Sequence, residues 1–86
     1  MKNDIENLKK RLIYRSQYRG TKEMDKLIGA FVKKNIDNFD VNELNHLEDL
    51  LNIDDDTLYK FYNDQNYQIN LANNRVIKLF KSFIYR

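Results

Sequence analysis

A chain of 86 residues makes one domain with a thin core, since a domain of this size buries only about 60–65% of the surface its unfolded chain exposes. With 42% hydrophobic residues, 33% charged residues and no proline, the composition fits a soluble, largely helical globule better than a disordered chain. The absence of cysteine excludes disulfides, thiolate metal sites and a cysteine nucleophile, and permits a reducing compartment. The net charge is only +2 but is segregated: residues 1–34 hold ten Lys or Arg against four acids, residues 37–64 one against nine, and residues 65–86 four against none. An acidic middle works against phosphate binding, so the polarity points to a protein partner and away from nucleic acid.

In chain order, Ile5, Leu8 and Leu12 recur at helical spacing and predict a first helix from about Asp4 to Tyr18, with Arg11 and Arg15 beside the apolar stripe. Gly20 follows as the residue that turns a helix end through the left-handed conformation. Met24, Leu27, Ile28, Phe31 and Val32 then mark a strongly amphipathic second helix from about Thr21 to Ile36.

The stretch "FDVNELNHLEDLL" opens a third helix, with Asp40 as N-cap, Glu43 at capping-box spacing and Phe39 placed to staple onto Leu44. Its inward face is Leu44, Leu47, Leu50 and Leu51. "IDDDTLYKFY" starts a fourth, capped by Asp54 or Asp55, with Leu58, Phe61 and Tyr62 inward and Asn66, a residue tolerant of positive φ, closing it. After the loop "NYQIN", the segment "NLANNRVIKLFKSFIYR" carries a fifth helix through Ala72, Val76, Leu79, Phe80 and Phe83. No segment alternates with period two. The expected fold is therefore all-α, a compact bundle of about five short helices in a single domain over residues 1–86.

No constellation for catalysis stands out. His46 is the only histidine, and the run Asp54 to Asp56 lacks the ligand spacing and glycine of a calcium loop, so no metal is expected. Ser16 and Ser82 have no identifiable base, and no glycine-rich phosphate loop is present. The chain is not expected to be an enzyme. No apolar run spans a bilayer and the N-terminus has no secretory character, so a cytoplasmic protein without membrane insertion is expected. Tyr14, Tyr18, Tyr59 and Tyr62 are amphipathic enough to line an interface.

The corner "RGTKE" can be read as architecture, because Arg19 suits a helix C-terminus and Glu23 a helix N-terminus. It can also be read as a surface, because glycine bares the backbone while Arg19 offers a forked donor and Glu23 an acceptor. As exposed helix-end charges, both side chains would be worth only about 0.3–1 kcal/mol to the free fold. Lys33 and Lys81 read as surface positions away from the corner.

The stretch "RLIYRSQYRGTKEMDKLIGAF" resembles the family of succinate dehydrogenase assembly factors, known in bacteria as SdhE, whose Arg-Gly-x-x-Glu motif is met by Arg19, Gly20 and Glu23, with Asp25 at the acidic position that follows. Downstream, "LLNIDDDTLYKFY" is similar to the family's leucines, Asp-rich cap and Leu-x-x-aromatic helix, with Phe61 where the family usually has tryptophan, Asp56 in place of a frequent proline and Asn66 in place of a glycine. The resemblance implies a bundle of about five helices that docks on the flavoprotein subunit of succinate dehydrogenase, and in some bacteria on that of fumarate reductase, to promote covalent FAD attachment. It implies that the flavin and the attacking histidine belong to the client, so the factor has no cofactor; the free chain is expected to be a monomer. Partner binding would fall to Arg19, Gly20, Glu23 and Asp25, with Arg11, Arg15 and Phe61 extending the face. The reading from another class is a small helical nucleic-acid binder, drawn from the basic first helix formed by Lys9, Lys10, Arg11, Arg15 and Arg19.

Overall fold

The computed structural model describes residues 2–64 and 66–84. Five α-helices run in the order α1 (Lys2–Gln17), α2 (Lys22–Asn35), α3 (Val41–Leu51), α4 (Asp55–Asn63) and α5 (Arg75–Ser82), with a 3-10 turn at Ile36–Asn38 after α2. No strand occurs among the described residues. Tyr85 and Arg86, which the sequence reading included in the last helical segment, lie outside the described residues. No described helix is long and apolar enough to cross a membrane.

Local sequence sets most helix starts. Asp40 accepts from the Glu43 N–H at 2.8 Å while the Glu43 carboxylate accepts from the Asp40 N–H at 3.1 Å, which completes the capping box. Of the two candidate caps for α4, Asp54 takes the role: its carboxylate accepts from the Thr57 N–H and hydroxyl, and these bonds hold its pKa below the ordinary 3.8.

The apolar stripes of the five helices close on one core. Leu12, Ile28, Phe31, Val32, Leu44, Leu47, Leu50, Leu58, Val76 and Phe80 are fully enclosed in it. Phe31 and Phe80 meet edge to face with ring centroids 5.3 Å apart. Helix α1 lies against α2, where Ser16 is buried with its hydroxyl donating to the Ile13 carbonyl at 2.6 Å.

Two sequence expectations are corrected. Helix α5 begins after Asn74, whose side chain accepts from the Ile77 N–H, so Ala72 is exposed outside the helix and not part of its inner face. Helix α4 ends at Asn63, and Asn66 does not take a positive φ; Gly20 is the only described residue that does. The Asn66 N–H instead donates to the Asp64 carboxylate at 2.9 Å.

A left-handed cap on α4 is unnecessary because Lys81, reaching across from α5, donates to the carbonyls of Phe61 and Asp64, each at 2.7 Å. Its ammonium also lies 4.0 Å from the Phe61 ring centroid. Lys81 is thus a tie between α4 and α5, not the neutral surface residue its sequence context implied. Losing charge-assisted bonds of this kind costs about 1.5–3 kcal/mol, whereas a solvated surface lysine costs within about 0.5 kcal/mol. Thermal unfolding should therefore place Lys81→Ala roughly 10 °C below wild type, and Lys33→Ala beside it. Equal melting points for the two variants would refute the tie.

Candidate functional site

The corner between α1 and α2 is built around Gly20, which has φ +121°, a region that side chains on L-residues rarely adopt. Space is not the reason for glycine here, since a Cβ would meet no heavy atom within 4 Å. On its C-terminal side Thr21 caps α2, its hydroxyl oxygen accepting from the Met24 N–H at 3.3 Å. On its N-terminal side the Arg19 N–H donates to the Asp25 carboxylate at 2.6 Å, so Asp25 reaches back across the turn.

The Arg19 side chain does not face solvent. It is only 8% exposed and runs to the α3–α4 connection, where Nε donates to Asp55 Oδ1 at 2.6 Å, Nη1 to the Leu51 carbonyl at 2.8 Å and Nη2 to the Ile53 carbonyl. Asp55 is itself only 18% exposed, and its second oxygen accepts from the Thr21 hydroxyl at 3.4 Å. The planar guanidinium thereby spends three N–H groups on one carboxylate and two main-chain oxygens. This corrects the sequence expectation that Arg19 is an exposed helix-end charge.

Arg11 and Arg15, both on α1, stand about two turns and one turn before Arg19, which follows the helix end. Arg15 donates to the Asn52 side chain at 2.5 Å and lies 3.6 Å from Glu48, which is also 3.4 Å from Arg11. The basic stripe of the first helix is thus matched, turn by turn, to Glu48, Asn52 and Asp55. From the basic C-terminal third, Arg75 pairs with Glu43 at 2.6 Å and, with the Asp40 N–H, holds that carboxyl below its ordinary 4.5. Charges segregated in sequence are in good part paired in space.

The sequence-derived partner residues consequently separate. Gly20 and Glu23 are exposed, and Glu23 makes no side-chain hydrogen bond or ion pair among the described residues. Asp25 and Arg15 are half-buried and engaged, and Arg11 is exposed beside Glu48. Phe61 is buried, stacked at 6.4 Å from Phe80, and borders a separate cleft of about 450 Å³ with Tyr67, Ile69 and Lys81. His46 is half-buried on α3, and no group of three or more acids or histidines gathers as a metal site among the described residues.

Around the exposed members lie aromatic rings. Of the large apolar or aromatic side chains exposed among the described residues, Tyr14 (64%), Tyr18 (68%) and Tyr59 (44%) border the corner, leaving Val41 and Ile84 elsewhere. Tyr14 and Tyr18 pack on each other with centroids 4.6 Å apart and edge an open cleft of about 480 Å³ with Arg19, Asp54 and Asp55. Tyr59 shares a second cleft of about 250 Å³ with Glu23, Lys26 and Leu27. The sequence marked these tyrosines as interface-grade without placing them together. Asp55 it marked only as a candidate cap for α4, and Asn52 and the Leu51 and Ile53 carbonyls not at all; the spacing of Arg11, Arg15 and Arg19 at successive turns was the available signal.

Unfolding of the free protein by denaturant should separate these roles. Removing one partner of a buried ion pair costs about 3–5 kcal/mol, so Arg19→Ala should shift the midpoint far down. Gly20→Val should cost about 1–2 kcal/mol through its backbone alone, and Glu23→Ala should stay within about 0.5 kcal/mol of wild type. An Arg19→Ala variant as stable as wild type would contradict the buried geometry.

The comparisons with known proteins bear on the same corner. Residues 10–84 match the family described as flavinator of succinate dehydrogenase. Over 55 residues the chain is 36% identical to succinate dehydrogenase assembly factor 2, mitochondrial, of Arabidopsis thaliana, covering 64% of this chain and 29% of that protein. Over 50 residues it is 42% identical to the FAD assembly factor SdhE of Acetobacter pasteurianus, covering 58% of this chain and 46% of that protein. The match thus spans less than half the length of either relative. No solved structure matches the chain significantly. With nearly its whole length matched, from Lys10 on α1 to Ile84 beyond α5, the chain belongs to the flavinator of succinate dehydrogenase family.

Proposed function

We propose that this protein is an assembly factor that binds the flavoprotein subunit of succinate dehydrogenase and promotes covalent attachment of FAD to it, acting as a cytoplasmic monomer. A fumarate reductase flavoprotein is the second client to test. Family membership and the names of the two relatives support the class of function. The observation that carries the choice of surface is the ring of exposed tyrosines around the bare Gly20 backbone and the unpaired Glu23. Tyrosine supplies large contact area with a polar tip at little entropic cost, which is why it is enriched at protein interfaces.

In this reading the chain contributes no reacting group. The flavin and the histidine that bonds to it belong to the client, and the factor holds the client so that the two meet. Fixing reacting groups in a near-attack arrangement can lower a barrier by several kcal/mol without any contact to the reacting atoms. A nucleic-acid role finds no support in the arginines that raised it, since Arg11, Arg15 and Arg19 face Glu48, Asn52 and Asp55.

Co-expression with the flavoprotein subunit from the same organism, read by flavin fluorescence of the denatured polypeptide, tests the proposal. At limiting expression Glu23→Ala should remain folded yet lose most of the covalent flavin, as a truncation at a desolvated contact costs about 2 kcal/mol or more, over tenfold in affinity. Lys33→Ala should match wild type. Full flavinylation by the Glu23 variant would sink the corner as docking surface.

A further inference from the structure

We infer that Asp55, on the first turn of α4, is a positioning residue for the docking corner: its one carboxylate grips the residues on both sides of Gly20. Oδ1 accepts from Arg19 Nε at 2.6 Å and Oδ2 from the Thr21 hydroxyl at 3.4 Å. The inference rests on the reading of the corner as the surface that meets the flavoprotein.

The corner needs such a support. Gly20 has no side chain, and even a Cβ built there would touch nothing within 4 Å, so side-chain packing cannot fix the turn. Glycine is also the residue with most backbone freedom to lose on ordering. What restrains the turn comes from its neighbours. Thr21 and Asp25 are local, but they only tie the turn to its own helix α2. Asp55 ties it to a different helix, 36 residues away from Arg19, with the Leu51 and Ile53 carbonyls completing the socket.

Helix capping does not account for this carboxylate. Asp54 is the N-cap of α4 and already accepts from Thr57, leaving both Asp55 oxygens to the corner. One consequence is that Tyr59, one turn further along α4, and Glu23, in the first turn of α2, are presented together: they share a cleft, and the Arg19–Asp55 pair fixes the helices that carry them. A partner meeting both would find them already placed, which lowers the entropic cost of association. The three aspartates in "IDDDTLYKFY" thus have unequal work: Asp54 caps, Asp55 braces the corner, and Asp56 is exposed, 4.0 Å from Lys60.

The test pairs the intact variant Asp55→Asn, which keeps shape and removes charge, with Asp54→Ala, which removes the cap. Amide exchange in the free protein at Arg19, Met24 and Asp25 reports on the corner, and exchange at Leu47 and Phe80 on the core. The affinity of each variant for the purified apo flavoprotein subunit is measured alongside. Asp55→Asn should speed exchange at the corner at least tenfold, with the core amides accelerated no further than the variant's loss of global stability requires, and should weaken client binding about tenfold while saturating factor still gives full flavinylation. Asp54→Ala should leave corner exchange as in wild type. Wild-type exchange at the corner in Asp55→Asn, or acceleration larger at the core than at the corner, would overturn the positioning role. If wild type does not bind the flavoprotein, or Glu23→Ala binds as tightly as wild type, the docking reading fails instead, and exchange in the free protein still decides whether Asp55 braces the turn.

Discussion

The guanidinium of Arg19 is the point at which the α1–α2 corner and the α3–α4 connection are joined. Helix α3 finishes at Leu51 with carbonyls that have no partner within the helix, and α4 starts four residues later with acids at its first turn. Arg19 lies between them, its fork filled by the Leu51 and Ile53 oxygens and the Asp55 carboxylate. Lysine could not substitute: an ammonium is a compact, strongly hydrated charge, whereas these acceptors lie around a flat donor set. Because both charges are shielded from water, the pair is costly to break from one side, and the α1–α2 corner is held wherever the α3–α4 connection puts it.

From this constraint follows the division of labour within the Arg-Gly-x-x-Glu motif. Arg19 and Asp25 face inward and shape the turn, Gly20 supplies its backbone angle, and Glu23 points outward with its acceptor capacity unspent. A motif of this kind is half scaffold and half surface. Substitutions in its inward half act through stability and geometry, and on the proposed reading substitutions in its outward half act on the partner that docks there. The same economy appears at α4, where Lys81 reaches over from α5 to satisfy the carbonyls at the helix end and covers the buried Phe61 ring.

Much of this was legible in the sequence wherever the determining contacts are local. The stripes of α2 and α3, the Asp40–Glu43 capping box, an aspartate cap on α4 at Asp54 or Asp55 and the glycine turn all depend on residues within about four positions, and each can be read from spacing and side-chain chemistry. The failures share the opposite property. Ala72 sits four residues before Val76 and so mimics one more turn of the α5 stripe, yet Asn74 caps the helix after it. Asn66 was a reasonable closing residue until the carbonyls it would have served were taken by Lys81, whose donors arrive from 17 and 20 residues away. Arg19 looked like an exposed charge because its acceptors lie 32 to 36 residues downstream. The segregated charge pattern was visible as well, and its basic and acidic blocks are in part each other's partners across α1, α3 and α4.

The central claim is that the corner is a preformed docking edge, anchored from inside by Arg19 and offered outward through Gly20, Glu23 and the neighbouring tyrosines. Hydrogen exchange measured on the free protein and on its isolated complex with the flavoprotein subunit tests this directly. The account predicts that the Arg19 amide is protected in the free protein, and that complex formation adds protection at residues 18–24 and around Tyr59 while α5 is unchanged. An Arg19 amide that exchanges freely before binding, or new protection confined to the α5 face around Lys78, would contradict it.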